Sequence, residues 1–270
     1  MKRLTAVFVL LLSSMVLLSA CGTSTKNKQN AEKPKSQDLL QQIKSNGKIL
    51  IGTEGTYAPF TFHDASGNLT GFDVDIAKEV AKRLGVKAEF KETQWDAMFA
   101  GLDAKRFDMV ANEVGIRPDR QAKYDFSDPY ITSAAVLIAN KDNDKVKKFE
   151  DIKGLKSAQS LTSNYADLAR KYGANIVSVD GFDQSIELIT SKRADVTIND
   201  KISFLDYTKK KPDAPIKIVA TSSDASQSGF MFRKDNKTLV DAVNKALKDM
   251  IADGTYNKIS EKWFGENVLK

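Results

Sequence analysis

Only one cysteine and one histidine occur among the 270 residues. A disulfide needs two cysteines, a Cys/His zinc cage about four ligands, and a Ser-His-Asp or Cys-His site its own histidine. Disulfide scaffolds and zinc cages are therefore excluded, and any catalysis would fall to carboxylates, Lys, Tyr or the lone His63. With 6 Pro and 15 Gly beside 41% hydrophobic and 28% charged residues, collagen-like and low-complexity classes are excluded too. The chain is long enough for one large domain or two modest ones. A basic folded face is also missing. Of the formal net charge of +6, residues 1–20 carry +2 and residues 21–37 carry +3, which leaves +1 for the rest. A nucleic-acid partner wants clustered Lys and Arg on the folded body, so none is expected.

One long apolar run is present, at the very start. Met1-Lys2-Arg3 precedes an apolar stretch through Leu18, then small residues, as in a secretory signal. Leu18-Ser19-Ala20-Cys21-Gly22 resembles the bacterial lipobox, whose cysteine is acylated on sulfur and becomes the new N-terminus. Residues 1–20 are thus expected to be a lipoprotein signal peptide and Cys21 the lipidation site. Acyl chains contribute ~0.8 kcal/mol per buried CH₂, so two or three hold a protein on a membrane. Residues 21–37 hold no large apolar side chain and read as a flexible tether. The expected location is the extracytoplasmic face of the cell membrane.

From Lys48 onward short strands alternate with amphipathic helices, which predicts α/β layers with mostly parallel pairing. Asp73 is placed to cap a helix that runs to Leu84 and stops at Gly85. An offset of 87 residues aligns WDAMFAGLDAKRFDMVANE from Trp95 with FDQSIELITSKRADVTIND from Phe182, identical at five of nineteen positions. Two related α/β lobes follow, with Asn112-Glu113 and Asn199-Asp200 at the carboxyl ends of strands, where open sheets bind ligands.

The run Ile51-Gly52-Thr53-Glu54-Gly55-Thr56-Tyr57-Ala58-Pro59-Phe60, then Gly71-Phe72-Asp73-Val74-Asp75, resembles the extracellular solute-binding proteins of family 3, receptors of polar amino-acid ABC importers. Arg117-Pro118-Asp119-Arg120, Tyr124 to Tyr130, and Asp253-Gly254-Thr255-Tyr256 near Trp263-Phe264 extend the resemblance from about Leu39 to Phe264. It implies a two-lobed periplasmic-binding-protein-like fold of type II, with two crossover segments and a ligand cleft between the lobes. By the same resemblance, residues 38–133 plus 228–270 form lobe 1 and residues 134–227 form lobe 2.

The resemblance also implies a ligand set. Arg120 matches the arginine that clamps an α-carboxylate, a task suited to a planar fork of donors. Asp200 matches the acceptor of the α-ammonium, although an aspartate there also caps a helix well. Tyr57 and Trp95 match an apolar pair around the ligand side chain. Ser163 and Asn164 match second-lobe contacts at a helix N-terminus, where Asn164 could equally be the cap. Val114 and Gly115 match positions lending backbone contacts, Asn112 and Glu113 stand where relatives often carry small hydroxyl residues, and Glu54 matches a contact of basic-amino-acid receptors. Asp73 and Asp75 are read as setting the turn into their helix, and His63 as a surface residue.

These features point to a lipid-anchored, monomeric receptor that passes an amino acid to an ABC permease and its ATPase, without metal or cofactor. The strings Ala158 to Tyr165 and Ala111 to Ile116 resemble the cystine-binding branch. The far ammonium of cystine would pair Glu54 or Glu113, and its disulfide would lie against Tyr57 and Trp95. Arginine, lysine and glutamine stand as alternatives. So does an enzyme like the secreted cyclohexadienyl or arogenate dehydratases, with Glu113 or Glu54 as its acid.

Overall fold

Two five-stranded sheets, each with its own helices, organise the chain. The computed structural model describes residues 38–269; the signal segment, Cys21 and the tether lie outside the described residues. In the first lobe β1 (Lys48–Thr53) pairs in parallel with both β5 (Lys87–Glu92) and β6 (Met109–Val110). Next come β13 (Met231–Arg233) and β7 (Tyr124–Phe126), giving the order β5-β1-β6-β13-β7. In the second lobe β9 (Lys156–Gln159) lies parallel to β10 (Asn175–Ser178) and β11 (Val196–Asp200). Beyond β11 lie β8 (Ile131–Asn140) and β12 (Ile216–Ser228), in the order β10-β9-β11-β8-β12. A small meander of β2 (Thr56–Tyr57), β3 (Thr61–His63) and β4 (Leu69–Thr70) flanks the first sheet's lobe.

Pairing is more mixed than the alternation predicts. Three parallel strands in each sheet follow helical crossovers, but β13 is antiparallel to β6 and β7, and β8 to β11 and β12. β8 and β12 are the two crossover segments. Ile131 faces Ser228 at one end of the ladder and Asn140 faces Ile216 at the other. Register shifts between Ile218 and Ala220, and between Thr221 and Ala225, bend β12 along this path.

Amphipathic spacing builds the first core. α2 (Phe72–Leu84) buries Phe72, Ile76, Ala77 and Val80, and α8 (Lys237–Ala252) buries Leu239, Val243, Ala246, Leu247 and Met250. The Phe72 ring centroid lies 4.8 Å from that of Phe264 on α9 (Thr255–Phe264) and 6.1 Å from that of Tyr256. The Tyr256 hydroxyl donates to the Tyr130 carbonyl at 2.7 Å, which seats α9 against the start of β8.

Gly71, not Asp73, is the N-cap of α2. Its φ is +131°, and a Cβ there would stand 2.2 Å from the Phe60 carbonyl oxygen, so only glycine fits. Asp73 instead turns inward and is fully buried, its Oδ2 accepting the Glu113 N–H and the Tyr130 hydroxyl. Burial pushes its carboxyl up to about 7 against those two hydrogen bonds. Asp75 likewise reaches a distant element, accepting from Lys262 Nζ at 2.6 Å and Trp263 Nε1 at 2.9 Å.

The sequence echo is a structural one. α3 (Trp95–Asp103) and α6 (Phe182–Thr190) start at the paired aromatics and end in turns where Lys105 and Lys192 both have φ of +58°. Asp108 Oδ2 accepts the Leu50 N–H of β1 at 3.0 Å, and Asp195 Oδ2 accepts the Lys156 N–H of β9 at 2.8 Å. Each lobe thus ties its helix-to-strand turn to the neighbouring strand by the same aspartate. Among the described residues no helix is long and apolar enough to cross a membrane.

Candidate functional site

Segments that follow β1, β6, β9 and β11 converge between the lobes on a pocket. The first lobe contributes Glu54, Tyr57, Trp95, Asn112 and Glu113. From the second lobe come Gln159, Ser160, Ser163, Asn164, Tyr165, Gly181, Phe182, Ser185 and Asn199. Seven of the expected residues therefore line it, while Val114, Gly115, Arg120 and Asp200 do not.

Asn112 fastens the loop after β1 to the loop after β6. Its Oδ1 accepts the Glu54 N–H at 2.7 Å, and its Nδ2 donates to Glu54 Oε2 at 2.6 Å. Burial pushes the Glu54 carboxyl up to about 7, opposed by Asn112 and by the Trp95 backbone, with Asp96 adding to the rise. Glu113 sits at a φ of +51°, and both its oxygens are engaged. Ser228 Oγ donates to Oε1 at 3.0 Å, and the Tyr57 hydroxyl is 3.3 Å from Oε2. Glu113 is therefore not a loose acid awaiting a ligand's ammonium. Burial, then the Asp200 carboxylate, holds it well above the usual carboxylate range.

Arg120 and Asp200 lie behind the lining, 6% and 0% exposed. Arg120 rides on α4 (Pro118–Gln121), where Pro118 suits the first helical position. Its guanidinium carbon is 5.3 Å from the ring centroids of both Trp95 and Phe99. Nη1 donates to the Gly115 carbonyl at 3.1 Å, while Nη2 is buried without a partner. Burial, then Arg117, lowers its pKa to about 10, so it stays a cation at neutral pH. Asp200 caps α7 (Lys201–Lys210), with Oδ1 accepting the Ile202 N–H at 2.7 Å and Oδ2 buried without a partner. Burial raises its carboxyl to about 6, opposed by the nearby Ser133 and Tyr165 hydroxyls and the Ile202 and Ser203 N–H groups. Trp95 Nε1 is a third buried atom with no partner.

Val114 and Gly115 use their carbonyls internally, for the Gly229 N–H and for Arg120. On the second lobe the cap of α5 (Asn164–Lys171) is Ser163, whose Oγ accepts the Ala166 N–H at 3.0 Å. Asn164 is the first residue of that helix rather than its cap. His63 is exposed, 3.3 Å from Glu92.

Gln159, Ser160, Tyr165, Gly181, Phe182, Ser185 and Asn199 were not expected in the lining. The 87-residue echo holds the signal for two of them. Phe182 is the counterpart of Trp95 and Asn199 that of Asn112, and all four line the pocket.

Several contacts cross between the lobes, among them Lys210 Nζ at 4.5 Å from the Phe62 ring centroid. Asp96 accepts the Leu161 N–H at 3.1 Å, the Thr162 N–H at 2.9 Å and the Thr162 hydroxyl at 2.7 Å. Arg117 Nη1 meets Asp167 Oδ2 at 3.0 Å, and the Tyr57 hydroxyl donates to Asn199 Oδ1 at 2.9 Å. The cleft is closed. Among the described residues no group of three or more His, Cys, Asp or Glu side chains is placed to hold a metal ion.

Comparison with known proteins identifies the family. The L-cystine-binding protein TcyA of Bacillus subtilis is 50% identical over 270 residues, spanning 100% of this chain and 99% of that one. The L-cystine solute receptor of Neisseria gonorrhoeae, in its unliganded open conformation, is 51% identical over 85% of this chain and 98% of its own, with a TM-score of 0.56. An ancestral arginine-binding protein bound to arginine is 38% identical over 81% of this chain and 98% of its own, yet its TM-score is 0.78. Residues 49–266 match the bacterial extracellular solute-binding proteins, family 3, and the chain belongs to that family.

Proposed function

We propose that this chain is the extracytoplasmic receptor of an amino-acid ABC importer, that its ligand is L-cystine, and that it delivers the ligand to a membrane permease with its ATPase. One observation carries the reading. Arg120 and Asp200 are opposite charges buried at one cleft, each with a polar atom that lacks a partner. An unpaired buried charge is costly, and an α-carboxylate with its α-ammonium supplies what each lacks. Both groups lie behind Trp95 and Tyr165, so ligand enters the open cleft, and closure buries it. A ligand in contact with both lobes favours the closed state.

Cystine is favoured by the two cystine-binding relatives and by the lining. Tyr57 and Trp95 offer aromatic surface to a disulfide, and Glu54 is the acid available to a far ammonium. The same acid favours a second reading, a basic amino acid. We assign no catalytic step to the chain. We further propose that residues 38–133 with 228–270 and residues 134–227 move as the two lobes, that the receptor acts as a monomer, and that acylated Cys21 holds it at the membrane through residues 21–37. A thermal-shift screen of all amino acids, cystine included, tests the ligand. Cystine should give the largest rise in melting temperature, and a larger rise with arginine or glutamine would refute it.

A further inference from the structure

Tyr57 has one hydroxyl proton to place among its oxygen neighbours, and the Ser203 hydroxyl, which can donate to it, does not need that proton. Asn199 Oδ1 lies at 2.9 Å and Glu113 Oε2 at 3.3 Å. The Asn199 amide cannot be turned over, because its Oδ1 also accepts the Asp200 N–H at 2.8 Å, and a backbone N–H faces only acceptors. Asn199 therefore takes the tyrosine proton, and the phenol oxygen presents lone pairs alone to Glu113. An ionised carboxylate would set lone pairs against lone pairs there, whereas a carboxylic acid donates. The other oxygen, Oε1, accepts from Ser228, as the carbonyl oxygen of an acid does.

We propose that Glu113 carries a proton in the closed cleft and that closure over the ligand takes this proton up, leaving the site matched to a zwitterion rather than a cation. The proposal rests on the amino-acid-binding reading above. Tyr57 and Glu113 belong to the first lobe and Asn199 to the second, so the relay is complete only on closure. On opening, Asn199 withdraws, Tyr57 is free to donate to Glu113, and water reaches the carboxylate.

The carboxyl neighbours of Glu113 work in the same direction, against the hydrogen bond from Ser228. Asp73 faces it from α2 and Asp200 from the head of α7, with the hydroxyls of Tyr130 and Tyr165 nearby. Arg120 on α4 is the cation that acts on Glu113 itself. Burial and like charge disfavour a third anion. With Glu113 neutral, Arg120 and Asp200 remain as one cation and one anion for the two ends of the α-amino acid, and Glu54 is the one lining acid left for a further ammonium. With Glu113 ionised the site would carry an extra negative charge, which a cationic side chain would exploit.

The linkage has a definite sign. A closed-state pKa above the open-state one means that closure binds a proton between the two values. Affinity then falls by up to about tenfold per pH unit as pH rises through that window. The test is calorimetry of the full chain with L-cystine, L-arginine and L-glutamine near neutral pH, in buffers of differing ionisation enthalpy. Uptake approaching one proton per bound cystine is expected, with most of it lost in Glu113→Gln and retained in Glu54→Gln. Binding without proton uptake in the wild-type protein overturns the proposal, as does unaltered uptake in Glu113→Gln. Should Glu113→Gln not fold, Glu54→Gln and Asp73→Asn decide: uptake retained in both upholds the proposal, and uptake lost in either overturns it. Arginine bound more tightly than cystine contradicts the match to a zwitterion. Proton uptake with glutamine but no heat from cystine upholds the relay and refutes the cystine assignment, and no heat from any of the three contradicts both.

Discussion

Arg120 stacks against Trp95 at 5.3 Å, and each brings a buried N–H donor without a partner, Nη2 and Nε1. Aromatic stacking lets the guanidinium be buried while part of its fork stays uncommitted. Arg120→Ala should weaken amino-acid binding by ~2–5 kcal/mol, the cost of removing one partner of a desolvated charge pair. Arg120→Lys should recover little, since an ammonium cannot reproduce the planar fork. Calorimetry checks both variants, and unchanged affinity in Arg120→Ala would remove this residue from the site.

Asp96 is the strongest polar link between the lobes, with three hydrogen bonds into the turn before α5. Those bonds exist only when the cleft is closed. Asp96→Ala should therefore speed ligand release by about tenfold, the worth of one or two net hydrogen bonds. It should leave the melting temperature of the ligand-free protein unchanged. Stopped-flow release measurements read the first quantity and a thermal melt the second.

Burial raises the Asp73 carboxyl to about 7 from an ordinary value of 3.8. The folded state then binds more protons than the unfolded chain between those values, so this group's contribution to stability falls as pH rises from about 4 to about 7 and is flat above. Asp73→Asn keeps an acceptor for the Glu113 N–H and the Tyr130 hydroxyl but cannot ionise. Melting temperatures across that range should fall less in Asp73→Asn than in the wild type. Parallel curves would show that Asp73 does not titrate on unfolding.

Much of this architecture is legible before any coordinates. The echo between Trp95–Glu113 and Phe182–Asp200 marks two lobes, and the paired lysines at equal φ show that the turns match as well as the helices. Asp73 is the instructive miss. An aspartate beside a helix start reads as a cap, yet whether its side chain turns out to the helix end or inward depends on Gly71 and on Glu113, forty residues away. Arg120 and Asp200 are nameable from their motifs, but their place behind the lining depends on how Trp95 and Tyr165 pack. The relay from Glu113 through Tyr57 to Asn199 spans both lobes and leaves no local pattern at all.

Cys21→Ser should shift the protein from the membrane fraction into the soluble fraction without changing ligand affinity, since the tether holds no large apolar residue. Fractionation and calorimetry separate the two effects. Because an uncleaved signal could itself retain the precursor, a chain starting at Ser24 behind a different signal is the cleaner comparison. Weak binding by that form would make the tether part of the site.

Competition against bound, labelled L-cystine, with and without reductant, tests the ligand most directly. The only cysteine of the chain is Cys21, outside the pocket-forming residues, so reductant acts on the ligand. The account predicts that reductant abolishes binding and that cysteine and arginine compete poorly at equal concentration. Binding that survives reductant, or arginine that displaces cystine at equal concentration, would contradict it.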